Sequence, residues 1–168
     1  MSPILDAHSI ECPSHSPGQT RRLGARLGEL LHAGDLVCLE GALGAGKTCL
    51  AQGIGRGYGV AESLISPTFT LIHEYQRPQD GSRLYHVDLY RISGAQEALG
   101  LGLGDYVDDE SAITLIEWPE RARELFPQEK LWIVLRHVEV HKRILLLSAR
   151  GERYEALLRE FRKRAFGI

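Results

Sequence analysis

Residues 41–48, GALGAGKT, combine the residue types that proteins use to bind phosphate groups. They fit the pattern G-x-x-x-x-G-K-[ST] at each fixed position, in which glycines let backbone N–H groups turn towards phosphate oxygens. Lys47 supplies a positive charge that can reach the β and γ phosphates of a nucleotide, and the Thr48 hydroxyl is a ligand suited to Mg²⁺. The helix predicted after the loop adds its positive end. The spacing therefore predicts a phosphate-binding loop.

Two carboxylates, Asp88 and Glu117, are candidates for the acidic group that anchors Mg²⁺ beside such a loop. Glu117 ends the apolar run AITLIE and precedes Trp118-Pro119, which would hold it at the sheet edge where ligands of open α/β folds bind. Asp88 lies in YHVDLYR among apolar residues, where an unpaired charge is costly. The alternatives are a capping or structural role for Glu117 and an ion pair between Asp88 and Arg91. We assign the orientation of an attacking water to Asp88.

A third candidate segment is the run SPTFT at residues 66–70. It lies between the helix after the loop and the next predicted strand, where phosphate-loop switches often place a segment that senses the γ phosphate. Its hydroxyls suit water or metal, although Ser-Pro-Thr is also common in ordinary loops. We include Thr68 among the catalytic candidates.

The elements that must position these groups follow from hydrophobic spacing and from cap and turn residues. Ser16-Pro17-Gly18-Gln19 is typical of a capped helix start, and leucines at helical spacing extend that helix to about His32, before Gly34. Residues 35–40 form a short apolar strand that leads into the loop, and the segment after Gly46 forms a helix. Strand, loop and helix are the context that the phosphate-loop pattern requires.

The rest of the chain indicates further strands and a closing helix. Residues 70–76 and 83–90 flank RPQDGS and predict an antiparallel hairpin, and residues 112–117 predict a central buried strand. A short helix is expected at residues 95–99, two strands at 131–138 and 143–149, and a final amphipathic helix in the tail. We therefore expect an α/β fold like that of P-loop NTPases, with a mixed, partly antiparallel sheet flanked by helices.

Composition restricts the class of protein. The 168 residues suit one domain, and no apolar run approaches the roughly 20 residues needed to span a bilayer. The three cysteines have no C-x-x-C spacing, and the first residues show no basic flank followed by an apolar stretch. A net charge of −2 argues against an autonomous nucleic-acid binder. These features predict a single soluble domain over residues 1–168 in the cytoplasm, with no membrane partner.

The motifs together, rather than the loop alone, resemble the TsaE family, also called YjeE. The matching pieces are Thr20 at the first helix, the LGAGKT core of the loop, SPTFTL, HVDLYR at residues 86–91 and IEWPER at residues 116–121. Their order and spacing are also those of the family, and the resemblance covers residues 20–120. The members are small ATPases of bacterial tRNA threonylcarbamoyladenosine synthesis, so the resemblance implies that the nucleotide is ATP.

The resemblance implies roles for the individual residues. Thr48 and Glu117 hold Mg²⁺, Lys47 binds the phosphates, Thr68 belongs to a switch loop and Asp88 is needed for hydrolysis. Trp118 lies near the nucleotide, and the remaining nucleotide contacts are assigned to loop residues. These are Gly41, Leu43, Gly44, Ala45, Gly46 and Cys49.

The resemblance also implies partners, which are TsaD and TsaB homologues. Hydrolysis is weak for the chain alone and rises in their complex, where TsaD modifies the adenosine next to the tRNA anticodon. Contact with tRNA is then indirect. Two residues depart from the family pattern, since Ala42 replaces an Asp and Cys49 replaces a Thr. Neither change removes a phosphate ligand, but the loss of an acidic group beside the phosphates affects the expected turnover.

Other classes of nucleotide-binding protein remain as alternatives. A small P-loop kinase would need an acceptor site and usually an arginine-bearing lid, and no arginine-rich insertion is present. A GTPase-type switch would need a base-binding N-K-x-D motif, which is also absent from the sequence. A nucleotide-gated scaffold with incidental hydrolysis would share all the motifs above. Phosphate release with and without partners separates that scaffold from an ATPase.

Overall fold

A mixed sheet of eight strands forms the centre of the computed structural model, which describes residues 4–5, 8–67 and 71–168. The strands are β1 (Ile4–Leu5), β2 (Ser9–Ser14), β3 (Leu36–Glu40), β4 (Ile72–Gln76), β5 (Arg83–Asp88), β6 (Ala112–Glu117), β7 (Lys130–Glu139) and β8 (Lys142–Arg150). Their order across the sheet is β1-β2-β8-β7-β3-β6-β5-β4. The central strands β5, β6, β3 and β7 are parallel, whereas β4, β8, β2 and β1 add antiparallel pairs. The expected mixed sheet is confirmed.

Five α-helices accompany the strands among the described residues. They are α1 (Pro17–Gly28), α2 (Lys47–Tyr58), α3 (Ala95–Gly100), α4 (Leu103–Val107) and α5 (Glu152–Phe166), and 3₁₀ turns follow β6 at Pro119–Leu125. The hairpin of β4 and β5, the buried strand β6 and the closing helix α5 confirm the sequence expectations. Helix α4 and strands β1 and β2 were not individually predicted. Within the described ranges, no helix is long and apolar enough to cross a membrane.

The start of α1 is as expected, but the predicted end at His32 is wrong. The Ser16 hydroxyl caps the helix by accepting from the backbone N–H of Gln19 (3.0 Å), and Pro17 occupies the first turn. The helix ends at Gly28, and the backbone N–H of His32, which a longer helix would pair with the Gly28 carbonyl, donates instead to the Asp35 carboxylate (2.8 Å). The chain leaves helical geometry one turn earlier than the leucine spacing predicts.

Helices cover both faces of the sheet, which the alternation along β3 illustrates. Val37 and Leu39 belong to one buried cluster with leucines of α1, α2 and α5. Leu36 and Cys38 point to the opposite face and pack with residues of α3, α4 and the 3₁₀ turns. Strand β3 is therefore buried on both sides, as is typical of a central parallel strand. The expected flanking by helices is confirmed, and Cys12, Cys38 and Cys49 are free thiols.

Helices α1 and α2 pack so closely that glycine is required at their contact. A Cβ atom added to Gly53 would lie 2.2 Å from the carbonyl oxygen of Arg21, which no backbone shift of a few tenths of an ångström relieves. We expect Gly53→Ala to lower the free energy of unfolding by about 2 kcal/mol, because overpacking outweighs the better helix propensity of alanine. Chemical denaturation measures this change.

Gly18 in α1 provides the matched control for this prediction. A Cβ atom there meets only the Arg22 side chain at 3.5 Å and the Ser16 hydroxyl at 3.8 Å, both ordinary contacts. Gly18→Ala should therefore leave stability unchanged or raise it by up to about 1 kcal/mol. Equal stability of the two variants would contradict the close packing of α1 and α2.

Candidate functional site

The glycine loop joins the carboxyl end of β3 to the start of α2, as the sequence predicted. Gly44 and Gly46 have φ values of 77° and 106°, which L-residues with side chains rarely adopt. Gly46 is the N-cap residue of α2, so the free N–H groups of the first helical turn lie beside the loop. The geometry presents backbone donors and the positive end of a helix at the carboxyl edge of the sheet.

Lys47 is folded back onto its own loop. Its ammonium group donates to the carbonyl oxygens of Gly41 and Ala42, with 2.9 Å to Ala42, and lies 4.3 Å from the centroid of the Trp118 ring. The residue is only 5% exposed, and burial lowers the pKa of the ammonium group, although the nearby charge of Glu117 opposes this effect. Lys47 is thus a largely desolvated cation bound to uncharged acceptors, which an anion could replace.

Thr48, Ser66 and Glu117 form a cluster of oxygen atoms in front of α2. The Thr48 hydroxyl lies 3.2 and 3.4 Å from the two carboxylate oxygens of Glu117 and 3.0 Å from the Ser66 hydroxyl. Ser66 also donates to Glu117 Oε2 (3.1 Å). Adjacent oxygen ligands of octahedral Mg²⁺ lie about 2.9 Å apart, because each is about 2.1 Å from the metal. The hydroxyl and carboxylate therefore fit a Mg²⁺ site that a nucleotide and water would complete.

His86 is a functional candidate that sequence reasoning missed. This fully buried side chain on β5 places Nε2 2.6 Å from Glu117 Oε2, and within the described part of the chain Nδ1 has no partner. Burial would raise the pKa of Glu117, but the hydrogen bonds from His86, Ser66 and Thr48 outweigh it and lower that pKa. Glu117 is therefore held as an oriented carboxylate. The motif HVDLYR contained the signal, since His86 and Asp88 alternate onto one face of a strand.

Asp88 lies beside Glu117, because the two residues are paired in register at the ends of β5 and β6. Its Oδ1 accepts a hydrogen bond from the backbone N–H of Tyr90 (2.9 Å), which fixes the carboxylate at the strand end. Burial raises the pKa of Asp88, and the charge of Glu117 acts in the same direction. The structure thus brings both candidate carboxylates to the carboxyl edge of the sheet. Asp88 is bound by a backbone N–H, whereas Glu117 is bound by the side chains of its neighbours.

An aromatic wall closes one side of the site. Trp118 has a left-handed backbone (φ 60°), which turns the chain sharply after β6, and its ring lies 4.9 Å from the ring of Tyr90. The Arg121 guanidinium carbon lies 5.6 Å from the Trp118 ring centroid. A non-glycine residue in this backbone conformation is strained by about 1–2 kcal/mol, and such strain often occurs at functional sites. The wall places an aromatic surface next to Lys47.

These groups line one cleft of about 370 Å³, a volume in the range of small-molecule sites. Its lining comprises Leu43, Gly44, Gly46, Lys47, Thr48, Cys49, Ser66, Asp88, Tyr90, Glu117 and Trp118. Most predicted site residues therefore meet in one place. Gly41 and Ala45 do not line the cleft: the carbonyl of Gly41 accepts from Lys47, and the carbonyl of Ala45 faces Arg143. Thr68 lies outside the described residues.

Cys49 lines the cleft, but its environment does not activate the thiol. Its Sγ donates to the carbonyl oxygen of Pro17 (3.2 Å), and burial raises its pKa. A nucleophilic cysteine needs the opposite shift. The geometry favours a packing role for the Cys49 side chain. The backbone N–H of Cys49 belongs to the first turn of α2.

Three comparisons with known proteins agree with one another. The model of the family described as Threonylcarbamoyl adenosine biosynthesis protein TsaE matches residues 14–145. The chain is 38% identical over 146 residues to the tRNA threonylcarbamoyladenosine biosynthesis protein TsaE of Bacillus subtilis. The aligned region covers 86% of this chain and 89% of the relative. It is 50% identical to the Nostoc protein of the same name over 105 residues, 61% of this chain and 63% of the relative.

A solved structure supports the same relationship. The crystal structure of Bacillus subtilis YdiB superposes with a TM-score of 0.79 at 31% sequence identity. The superposition covers 98% of this chain and 99% of that one. The fold is therefore shared over nearly the whole length of both chains.

Proposed function

Since this chain belongs to the TsaE family of threonylcarbamoyl adenosine biosynthesis proteins, we propose that it binds ATP with Mg²⁺ in the cleft and hydrolyses the ATP. The observation that carries the proposal is the convergence of Lys47, Thr48 and Glu117, with the Thr48 hydroxyl 3.2 Å from the Glu117 carboxylate. A phosphate-binding cation and a pair of Mg²⁺ ligands at a helix N-terminus have the chemistry of a nucleoside triphosphate site.

Each loop residue has a distinct part in binding. The Lys47 ammonium group exchanges its bonds to the carbonyls of Gly41 and Ala42 for bonds to phosphate oxygens. This exchange needs only a movement of the side chain inside the cleft. The backbone N–H groups at the start of α2 donate to the phosphates, while Thr48 and Glu117 hold Mg²⁺. When bound, Mg²⁺ neutralises part of the charge on the β and γ phosphates. His86 and Ser66 keep the Glu117 carboxylate oriented towards Thr48.

Asp88 is the residue that we propose orients the attacking water. It lines the same cleft and is in register with Glu117. Among the described residues its side chain accepts only the hydrogen bond from the Tyr90 N–H, which leaves the second carboxylate oxygen, Oδ2, for a water. A pKa raised by burial makes its carboxylate a better proton acceptor than an ordinary surface aspartate. Lys47 and the loop N–H groups stabilise the charge that develops on the phosphoryl group.

The family relationship also supports a setting for this activity. We propose that hydrolysis is weak for the chain alone and rises in a complex with TsaB and TsaD homologues, in which TsaD modifies the adenosine next to the tRNA anticodon. In this scheme the chain supplies ATP turnover and meets tRNA only through the complex. The free thiols of Cys12, Cys38 and Cys49 suit the reducing cytoplasm, which is the compartment we propose.

The test of this function is phosphate release from ATP by the purified chain, first alone and then with TsaB and TsaD from the same source. We expect slow release that needs Mg²⁺, stops with a chelator and rises strongly on mixing. Binding of ATP without any rise would favour a nucleotide-gated scaffold. Transfer of the γ phosphate to an added acceptor instead of water would favour a small P-loop kinase.

Tryptophan fluorescence is expected to report nucleotide binding through Trp118. Phosphates that draw Lys47 away from the Trp118 ring change the surroundings of that ring. Trp132 does not line the cleft, and its indole N–H donates to Glu40 (2.8 Å). The chain has two tryptophans, so single replacements separate their signals. Addition of Mg-ADP should change emission from Trp132→Phe and leave emission from Trp118→Phe unchanged. The reverse pattern would place the nucleotide elsewhere.

A further inference from the structure

Arg143 binds the glycine loop but does not line the cleft. It lies on β8 just after the turn of the β7–β8 hairpin, and its Nε donates to the carbonyl oxygen of Ala45 (3.0 Å) while Nη2 donates to that of Gly44 (3.2 Å). Its Nη1 lies 3.4 Å from the carbonyl oxygens of Glu139 and Val140 in the same hairpin. One guanidinium group therefore ties two successive loop carbonyls to a rigid strand pair.

Peptide geometry gives this contact a consequence for the cleft. In a planar trans peptide, the carbonyl of one residue and the N–H of the next point in opposite directions. Binding the Gly44 and Ala45 carbonyls on the Arg143 side therefore directs the N–H groups of Ala45 and Gly46 away from it. The Ala45 N–H donates within the loop to the Ala42 carbonyl, whereas the Gly46 N–H belongs to the part of the loop that the sequence pattern assigns to phosphate.

The loop needs such a contact because its own sequence does not fix its backbone. Gly44 and Gly46 both adopt positive φ angles, and glycine exchanges between positive and negative φ at little cost. Within residues 41–46, all of which the structure describes, the only backbone hydrogen bond joins the Ala45 N–H to the Ala42 carbonyl (3.0 Å). Arg143 adds two more restraints at neighbouring peptides, so it selects one backbone conformation from those that the glycines allow.

An arginine is suited to this contact and a lysine is not. The guanidinium group is a planar fork whose nitrogens can bond two neighbouring carbonyls and the hairpin at once, whereas an ammonium group is a compact point charge on a flexible stem. We propose that Arg143 is a positioning residue, which holds the loop in its phosphate-binding conformation before nucleotide arrives. The role in nucleotide binding rests on the proposed function, but the restraint on the loop does not.

The test compares Arg143→Gln and Arg143→Lys with Lys142→Gln, which removes a neighbouring positive charge from the same hairpin without touching the loop. Calorimetric titration with Mg-ADP measures affinity. We expect about tenfold weaker binding for Arg143→Gln, several-fold weaker binding for Arg143→Lys, and a dissociation constant within about twofold of the parent for Lys142→Gln. In ATP turnover, the Arg143 variants should raise KM more than they lower kcat.

A second measurement tests the restraint without nucleotide. Amide hydrogen exchange of a peptide covering residues 41–50 should be faster in Arg143→Gln than in the parent, while exchange elsewhere and the unfolding temperature stay close to those of the parent. Unchanged exchange together with parental Mg-ADP affinity would overturn the proposal, and so would an equal loss of affinity in Lys142→Gln. If the parent itself bound no Mg-ADP, the proposed function would fail, and loop exchange would still decide the positioning role.

Discussion

Replacing Lys47 by alanine is expected to weaken ATP binding by about a hundredfold or more, because the variant loses a charge-assisted contact in a desolvated site. Lys47 is 5% exposed, and the partners described above are the uncharged carbonyls of Gly41 and Ala42 and the face of Trp118, so a charged phosphate is the stronger partner for its ammonium group. No other lysine lines the cleft within the described residues. Calorimetric titration with Mg-ATP or Mg-ADP measures the loss.

Lys130 offers a matched control for this prediction. Its ammonium group likewise donates to two backbone carbonyls, those of Pro127 (2.7 Å) and Gln128 (3.2 Å). It begins β7 beside the start of β3, whereas the glycine loop follows the end of β3, so it lies at the opposite edge of the sheet. Lys130→Ala should keep parental affinity. Undiminished ATP affinity in Lys47→Ala would refute the assignment of the loop.

Asp88→Asn is expected to lower ATP turnover by about a hundredfold or more while Mg-ADP affinity stays within about twofold of the parent. The amide is nearly isosteric and still accepts the hydrogen bond from the Tyr90 N–H, so the strand end keeps its geometry. It lacks the carboxylate that orients and deprotonates water. A fall in kcat with unchanged binding is the signature of a group that acts mainly in the transition state.

The control for Asp88 is Asp105→Asn, an exposed position on α4 that removes the same charge away from the cleft. Turnover of that variant should equal the parent's in a phosphate-release assay. Parental turnover in Asp88→Asn would instead remove Asp88 from the hydrolytic step. Loss of both binding and turnover would assign Asp88 to the nucleotide or metal, not to the water.

Local sequence signals predicted the parts of the fold that are governed by neighbouring residues. The Ser16 cap, the apolar strand before residue 41 and the run of residues 112–117 are each specified by side chains close in sequence, and each is present. The phosphate loop belongs to this group, because its chemistry lies in eight consecutive residues. Such features depend on capping, periodicity and glycine, which a single sequence displays directly.

Contacts between distant residues account for what the sequence did not predict. Beyond the end of α1, the His32 N–H donates to the Asp35 carboxylate, which Arg153, more than a hundred positions away, also binds (2.6 Å). His86 and Ser66 orient Glu117 from two other segments, and Arg143 reaches the loop from the far end of the chain. No spacing rule links such partners, since the sheet order that joins them is itself a tertiary outcome.

The family pattern identified some of the residues that distant contacts bring together, but not all of them. It directed attention to Asp88 and Glu117, which the structure pairs in register, but it assigned no role to His86 inside the same motif. The departures at Ala42 and Cys49 leave the cleft intact, since Cys49 packs against Pro17 and Ala42 contributes its carbonyl to Lys47. Side-chain identity at these positions is therefore compatible with the phosphate loop.

A crystal structure of the chain with Mg²⁺ and a non-hydrolysable ATP analogue tests the central claim most directly. The account predicts that Lys47 Nζ leaves the carbonyls of Gly41 and Ala42 for phosphate oxygens, and that Mg²⁺ lies between Thr48 and Glu117. It also predicts that Asp88 contacts a water near the γ phosphate. Nucleotide bound away from the loop, or Lys47 still on its two carbonyls with the analogue present, would contradict the account.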